Sequence, residues 1–224
     1  MPFQDRSEAG KTLATALMAY KNLQPVILAL PRGGVPVAAE VADALGAPLD
    51  LIIVRKIGVP LQPELAMGAL VDGDAPLIVR NDDVILMAGI DETEFQAVCD
   101  RELAEIRRRR RRYLGDRTPL EIKDRVAIVV DDGVATGATT RAALRATRLR
   151  RPKKLVLAVP VAPSEVLSSL RHEADEVVCL EAYGSFGAIG LYYTDFRQVS
   201  DEEVLAALTR GPDASSSERR HPAG

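Results

Sequence analysis

Two adjacent carboxylates, Asp131 and Asp132, end an apolar run and open a loop of small and hydroxylated residues, Gly133-Val134-Ala135-Thr136-Gly137-Ala138-Thr139-Thr140. A loop that runs into a helix start presents backbone N–H groups with no partner inside the helix, and such donors favour an anion. Gly133 and Gly137 let the backbone bend and approach a ligand closely. Thr136, Thr139 and Thr140 add hydroxyl donors. Charge-assisted hydrogen bonds contribute about 1.5–3 kcal/mol each, so about four or five of them hold a phosphate monoester firmly. The carboxylates would repel that phosphate if they faced it. They suit neutral hydroxyls beside it, or Mg2+. A phosphate with vicinal hydroxyls nearby is a ribose 5-phosphate.

Two further clusters of polar residues follow apolar runs. Pro31-Arg32-Gly33-Gly34-Val35-Pro36 comes after Val26–Leu30 and before a helical pattern from about Val37 to Leu45. One guanidinium beside two glycines suits an anion, although a tight turn with a surface arginine reads the same way. Arg55 and Lys56 follow the run Leu49–Val54. Cations there lie on the carboxyl edge of a parallel sheet, where open α/β folds bind ligands; solvated strand-end charges are the plain alternative.

The apolar strand, the pair Asp131-Asp132 and the sequence Thr136-Gly137-Ala138-Thr139 together resemble the phosphoribosyl pyrophosphate (PRPP) motif of the type I phosphoribosyltransferases. No Gly-Lys-Ser/Thr follows the glycines, which excludes a Walker loop, and the dinucleotide fingerprint is absent. The resemblance implies roles by position. Asp131 and Asp132 would meet the ribose hydroxyls and, through ligand or water, Mg2+. Gly133, Ala135, Thr136, Gly137, Ala138, Thr139 and Thr140 would cradle the 5-phosphate. Arg32, Gly33 and Gly34, with Arg55 and Lys56, would take the pyrophosphate, and the Pro31–Arg32 peptide bond would be cis. The implied reaction is displacement of Mg-pyrophosphate from PRPP by a nitrogen nucleophile, with inversion at the anomeric carbon. One departure is informative: where the hypoxanthine–guanine branch carries an aspartate, three residues past the acidic pair, this chain has Ala135. That argues against a 6-oxopurine acceptor, while adenine-type members also lack the aspartate. No catalytic acid or base is assignable. Two other classes stay open: a PRPP-sensing regulator of the same fold, contacting RNA through Arg107–Arg112, and a phosphohydrolase acting on a ribose phosphate.

Positioning these loops falls to alternating strands and helices. Residues 6–20 carry an amphipathic helical pattern. Val126–Val130, Leu155–Val161 and Glu176–Leu180 read as buried strands, and Ser164–Leu170, with Ser164 as a cap, and Asp201–Leu208 as helices. The expected architecture is one α/β domain over 1–210: an open, mostly parallel sheet of about five strands with helices on both faces. To it are added a helical insertion over about 82–115 and a small C-terminal hood over about 181–199. Residues 57–80 are punctuated by Gly58, Pro60, Pro63, Gly68, Gly73 and Pro76 and read as a long loop or loose hairpin, where the family places a lid. In the hood, Tyr183, Phe186 and Tyr192 could stack on an acceptor base or pack the subdomain itself. Six consecutive arginines, Arg107–Arg112, end the insertion helix; a solvated helix end or a subunit contact ranks ahead of RNA. Residues 211–224 are polar and expected to be disordered.

Composition sets outer bounds. The 224 residues are 47% hydrophobic and 27% charged, as in a globular domain. A formal net charge of −3 provides no global basic field for nucleic acid. Cys99 and Cys179 form no metal or redox spacing, and His172 and His221 sit in no motif. No apolar run has the length of a membrane span, and no signal-peptide core is present. A cytoplasmic location and a homodimer are expected.

Overall fold

The computed structural model describes residues 2–72 and 76–210; the segment 211–224, expected to be disordered, lies outside the described residues. From the N-terminal side, α1 (Arg6–Ala16) leads to β1 (Val26–Ala29), α2 (Gly34–Leu45) and β2 (Leu49–Leu51). Then come β3 (Val54–Val59), β4 (Gln62–Val71), β5 (Leu77–Arg80), α3 (Asp82–Met87) and α4 (Glu92–Leu114). The second half alternates through β6 (Val126–Val130), α5 (Ala138–Leu149), β7 (Lys154–Pro163), α6 (Ser164–Leu170) and β8 (Glu176–Tyr183), and α7 (Asp201–Leu208) closes it.

Five strands make one parallel sheet of order β2-β1-β6-β7-β8. Side chains alternate between its faces, and both faces are apolar, as a covered parallel sheet requires. Ile27, Ala29, Ile128 and Val130 pack with α1, α2, α4 and α7 on one face. Leu28, Val129, Leu157 and Val159 pack with α5 and α6 on the other. Fully burying an aliphatic side chain of this kind contributes about 1.5–3 kcal/mol, so the sheet is the stable platform beneath the loops.

Four expectations change in detail. The strand after α2 ends at Leu51, not Val54, and Val54 instead opens a separate antiparallel sheet of order β3-β4-β5. Of the two readings of 57–80, the hairpin holds and the long loop does not, and Gly73 lies outside the described residues. A Cβ on Gly58 would lie 2.6 Å from the Pro63 carbonyl oxygen, and one on Gly68 2.6 Å from that of Val79. These glycines stand where strands cross too closely for a side chain, a role that punctuation rules misread as a turn. Ser164 does not cap α6: Pro163 takes the cap position, with no side-chain hydrogen bond. Finally, α2 begins at Gly34 and α5 at Ala138, so both glycine-bearing loops run straight into helix N-termini.

The insertion region holds α3 and α4. Asp91 and Glu94 close a reciprocal cap at the start of α4, and Phe95, Val98, Cys99, Ile106 and Tyr113 bury its apolar side. The arginine run is divided among partners. Arg108 and Arg109 pair with Glu105, Arg110 with Asp72, and Arg112 with Asp201 and Glu202. Arg110, which falls on the apolar side, is thus held by an acid from the end of β4. Among the described residues, no helix is long and apolar enough to cross a membrane.

Candidate active site

Strand order locates the site. From β1 the chain moves outward to β2, whereas from β6 it moves the opposite way to β7 and β8. Neighbouring strands β1 and β6 therefore form a topological switch point, and their following helices leave on opposite faces. The crevice between such diverging loops is where open α/β sheets bind ligands. The loop after β1 carries Arg32, Gly33 and Gly34; the loop after β6 carries Asp131 through Gly137.

The two loops touch without side chains between them. A Cβ on Gly33 would fall 2.1 Å from Asp132 Oδ2, and one on Gly34 would fall 2.8 Å from the Val130 carbonyl oxygen and the Asp131 Cα. Only glycine fits at either position. The Pro31–Arg32 bond is cis. Arg32 lies 3.6 Å from Asp201, at the start of α7.

The acidic pair is asymmetric. Asp131 accepts from the Asp132 backbone N–H at 2.9 Å. Burial of its carboxyl, reinforced by the neighbouring Asp132 charge, pushes its pKa well above the ordinary aspartate range. Asp132 is buried and paired: Arg6 Nε donates to its Oδ2 at 2.7 Å, with both side chains about nine-tenths covered. Arg6 also donates to the Arg197 carbonyl at 2.9 Å and lies 3.9 Å over the Phe196 ring. Tyr193 donates its hydroxyl to the Asp132 carbonyl at 2.6 Å; burial, then the Asp132 charge, raises the Tyr193 pKa and keeps it a neutral donor.

Beyond the acidic pair, Gly133 is wedged against Ile189 and Val161, where a Cβ would meet methyl groups at 2.7 and 2.9 Å. Gly137 is the cap residue of α5, with φ +76° and no side-chain cap bond. A left-handed residue there is favoured only as glycine. The first turn of α5 thus offers its N–H groups outward, beside exposed Ala135, Thr136, Ala138 and Thr139, while Thr140 is buried.

Of the remaining candidates, Arg55 and Lys56 lie apart from this centre. Arg55 donates to Glu102 of α4 at 2.7 Å. With Lys56 it lines a cavity of about 300 Å3, together with Val59, Pro63, Val98 and Glu102, that the Arg32 loop does not line. Tyr183, Phe186 and Tyr192 stack chiefly on one another, with Tyr192 centred 4.5 Å from Tyr183 and 4.7 Å from Phe186. A hydrogen bond to Glu181 pushes the Tyr183 pKa up to about 12. The aromatics that reach the acidic pair or its arginine are Tyr193 and Phe196 instead. Neither they nor Arg6 stood out in the sequence, because their partners are distant in the chain and no local spacing marks them.

Among the described residues, no group of three or more His, Cys, Asp or Glu could hold a metal by itself. With Asp132 engaged by Arg6, Asp131 is the carboxylate left to meet a cation. That donor set suits Mg2+ arriving on a diphosphate and keeping most of its own ligands, as Mg2+ commonly does.

The phosphoribosyl transferase domain family model matches residues 6–196. Two Mycobacterium tuberculosis proteins, from strains CDC 1551 and H37Rv and each named a putative phosphoribosyl transferase, are 46% identical over 208 residues. Those 208 residues are 93% of this chain and 46% of each relative, so the chain spans about half the length of the curated relatives it matches. The crystal structure of TT1426 from Thermus thermophilus superposes with a TM-score of 0.79 at 42% identity, covering 93% of this chain and 98% of that one.

Proposed function

Because the chain belongs to the phosphoribosyl transferase family, we propose that it binds Mg-PRPP in the crevice between the β1 and β6 loops and transfers the 5-phosphoribosyl group to a nitrogenous base or similar acceptor. The observation that carries this reading is the contact of Gly33 and Gly34 on the acidic pair. It sets an arginine-bearing loop and a helix N-terminus on either side of two carboxylates, an order that suits pyrophosphate, ribose and 5-phosphate.

In this reading the backbone N–H groups of Ala135–Thr140 and the Thr136 and Thr139 hydroxyls hold the 5-phosphate. Asp131 and Asp132 face the ribose hydroxyls, and Arg32 with the Gly33 and Gly34 amides holds the pyrophosphate. Arg55 and Lys56 reach the pyrophosphate only if the β3–β4 hairpin closes toward Arg32. Mg2+ bound on the diphosphate, with Asp131 as the carboxylate left to meet it, would neutralise charge that grows on the leaving group. The acceptor nitrogen uses its lone pair to bond the anomeric carbon as the bond to the pyrophosphate oxygen breaks; pyrophosphate leaves with the bonding pair, and the proton that the acceptor nitrogen sheds passes to the departing pyrophosphate or to water. The chain supplies position and fixed dipoles rather than covalent chemistry. Tyr183, Phe186 and Tyr192 form one wall of the acceptor side, and Ala135 leaves no carboxylate for a 6-oxopurine. The protein works as a homodimer in the cytoplasm.

Calorimetric titration of Mg-PRPP into wild type and Asp131→Asn protein tests the reading. Saturable binding by wild type that the variant loses supports it and directs an acceptor screen by pyrophosphate release. Absence of binding to folded wild type overturns it.

A further inference from the structure

Arg32 is the one cation of the β1 loop, and its guanidinium is not left to solvent. The nearest acid is Asp201, at 3.6 Å, contributed from across the fold by the first turn of α7. Asp201 is itself held by the end of α4. Tyr113 donates its hydroxyl to Asp201 Oδ1, and Arg112 approaches Oδ2 at 3.0 Å. Each partner is fixed in turn. Tyr113 is buried in the main core, and burial pushes its pKa up to about 12, so it remains a donor. A reciprocal cap between Ser200 and Glu203 fixes the start of α7.

The distances rank the three contacts. Tyr113 hydrogen-bonds to Asp201, Arg112 stands in ion-pair contact with its other oxygen, and Arg32 stays beyond hydrogen-bond reach. One carboxylate therefore serves two guanidiniums, and a second acid, Glu202, lies 3.6 Å from Arg112. Such an arrangement orients the Arg32 guanidinium without a hydrogen bond to the acid.

We propose that Asp201 is a positioning residue for the pyrophosphate loop: anchored by Tyr113 and Arg112, it holds the Arg32 guanidinium in place for the pyrophosphate without hydrogen-bonding to it. This rests on the reading of Arg32 as a pyrophosphate ligand. It also gives the end of the arginine run a task inside the molecule.

Titration of two ligands separates the proposal from its parent. Mg-PRPP carries the pyrophosphate, and ribose 5-phosphate does not. Asp201→Asn weakens Mg-PRPP about fivefold, the upper end for a partly exposed ion pair, and leaves ribose 5-phosphate affinity unchanged. Arg32→Gln also weakens Mg-PRPP, and adding Asp201→Asn to it has no further effect, because the second residue acts through the first. Unchanged or tighter Mg-PRPP binding by Asp201→Asn overturns the proposal, as does equal weakening of both ligands or the same loss in the Arg32→Gln background. Failure of wild type to bind either ligand overturns the parent reading and this proposal with it.

Discussion

Arg6→Met tests how the acidic pair is held. Methionine keeps an unbranched stem that can still cover the Phe196 ring, now 3.9 Å beneath the guanidinium, so the main loss is charge. The variant strands Asp132, buried at 7% exposure, beside Asp131 with no cation. Removing one partner of a buried ion pair costs about 3–5 kcal/mol. Partial access of water places this case near the lower end, about 3 kcal/mol. With a urea m-value of about 2–3 kcal/mol/M, the unfolding midpoint at pH 7 falls by about 1–1.5 M. The double variant Arg6→Met/Asp132→Asn removes the stranded charge and recovers more than half of the loss. A midpoint shift below about 0.3 M for Arg6→Met, or a double variant no more stable than the single one, would refute the argument that Arg6 neutralises Asp132.

Four other substitutions have expected outcomes. Asp131→Asn stabilises the ligand-free protein at neutral pH while removing Mg-PRPP binding. An acid whose pKa folding raises binds its proton more tightly when folded, so stability falls as pH rises from the ordinary value of 3.8 towards the folded pKa. Thermal unfolding should therefore show a gain for Asp131→Asn that vanishes at the acid end, and a variant no more stable than wild type at pH 7 contradicts it. Gly34→Ala should lose about 1–3 kcal/mol and abolish binding, because its Cβ would meet backbone. Gly46→Ala, at φ +61° with nothing within 4 Å, should lose about 1–2 kcal/mol and bind normally. Denaturant curves and calorimetry on both decide the comparison. Tyr193→Phe removes the 2.6 Å bond to the buried Asp132 carbonyl and should cost about 1–3 kcal/mol, read as a drop in unfolding midpoint.

What sequence could reveal depended on how far each signal spreads along the chain. The loop from Asp131 to Thr140 is local: strand, acids, glycines and helix start are consecutive, and their order carries the inference. The Arg32 loop is local too, and its cis bond appears as expected. Arg6 is different, since its partners Asp132 and Arg197 lie 126 and 191 residues away. No periodicity or motif connects such positions; only the folded sheet does. The β3–β5 region was legible only as a choice between loop and hairpin, for another reason. Gly58 and Gly68 carry the same letter whether they turn a chain or let two strands cross, and pairing decides which. The aromatic cluster was legible as a cluster, but not which ring of Tyr192 and Tyr193 reaches the acidic pair.

The bonds joining residues 3–6 to residues 192–197 have a consequence for how the protein is made. Phe3 exchanges backbone hydrogen bonds with Tyr192 and Thr194, and Gln4 accepts from Asp195. Synthesis runs from the N-terminus, so Arg6 leaves the ribosome long before Asp132 and longer still before Arg197. Contacts of such sequence separation form late, because the chain between them must first be ordered. The crevice is therefore completed only after nearly the whole domain has emerged. A nascent chain stopped before residue 192 can carry both glycine loops and every strand of the parallel sheet, yet it lacks the segment that seats Arg6 on Asp132.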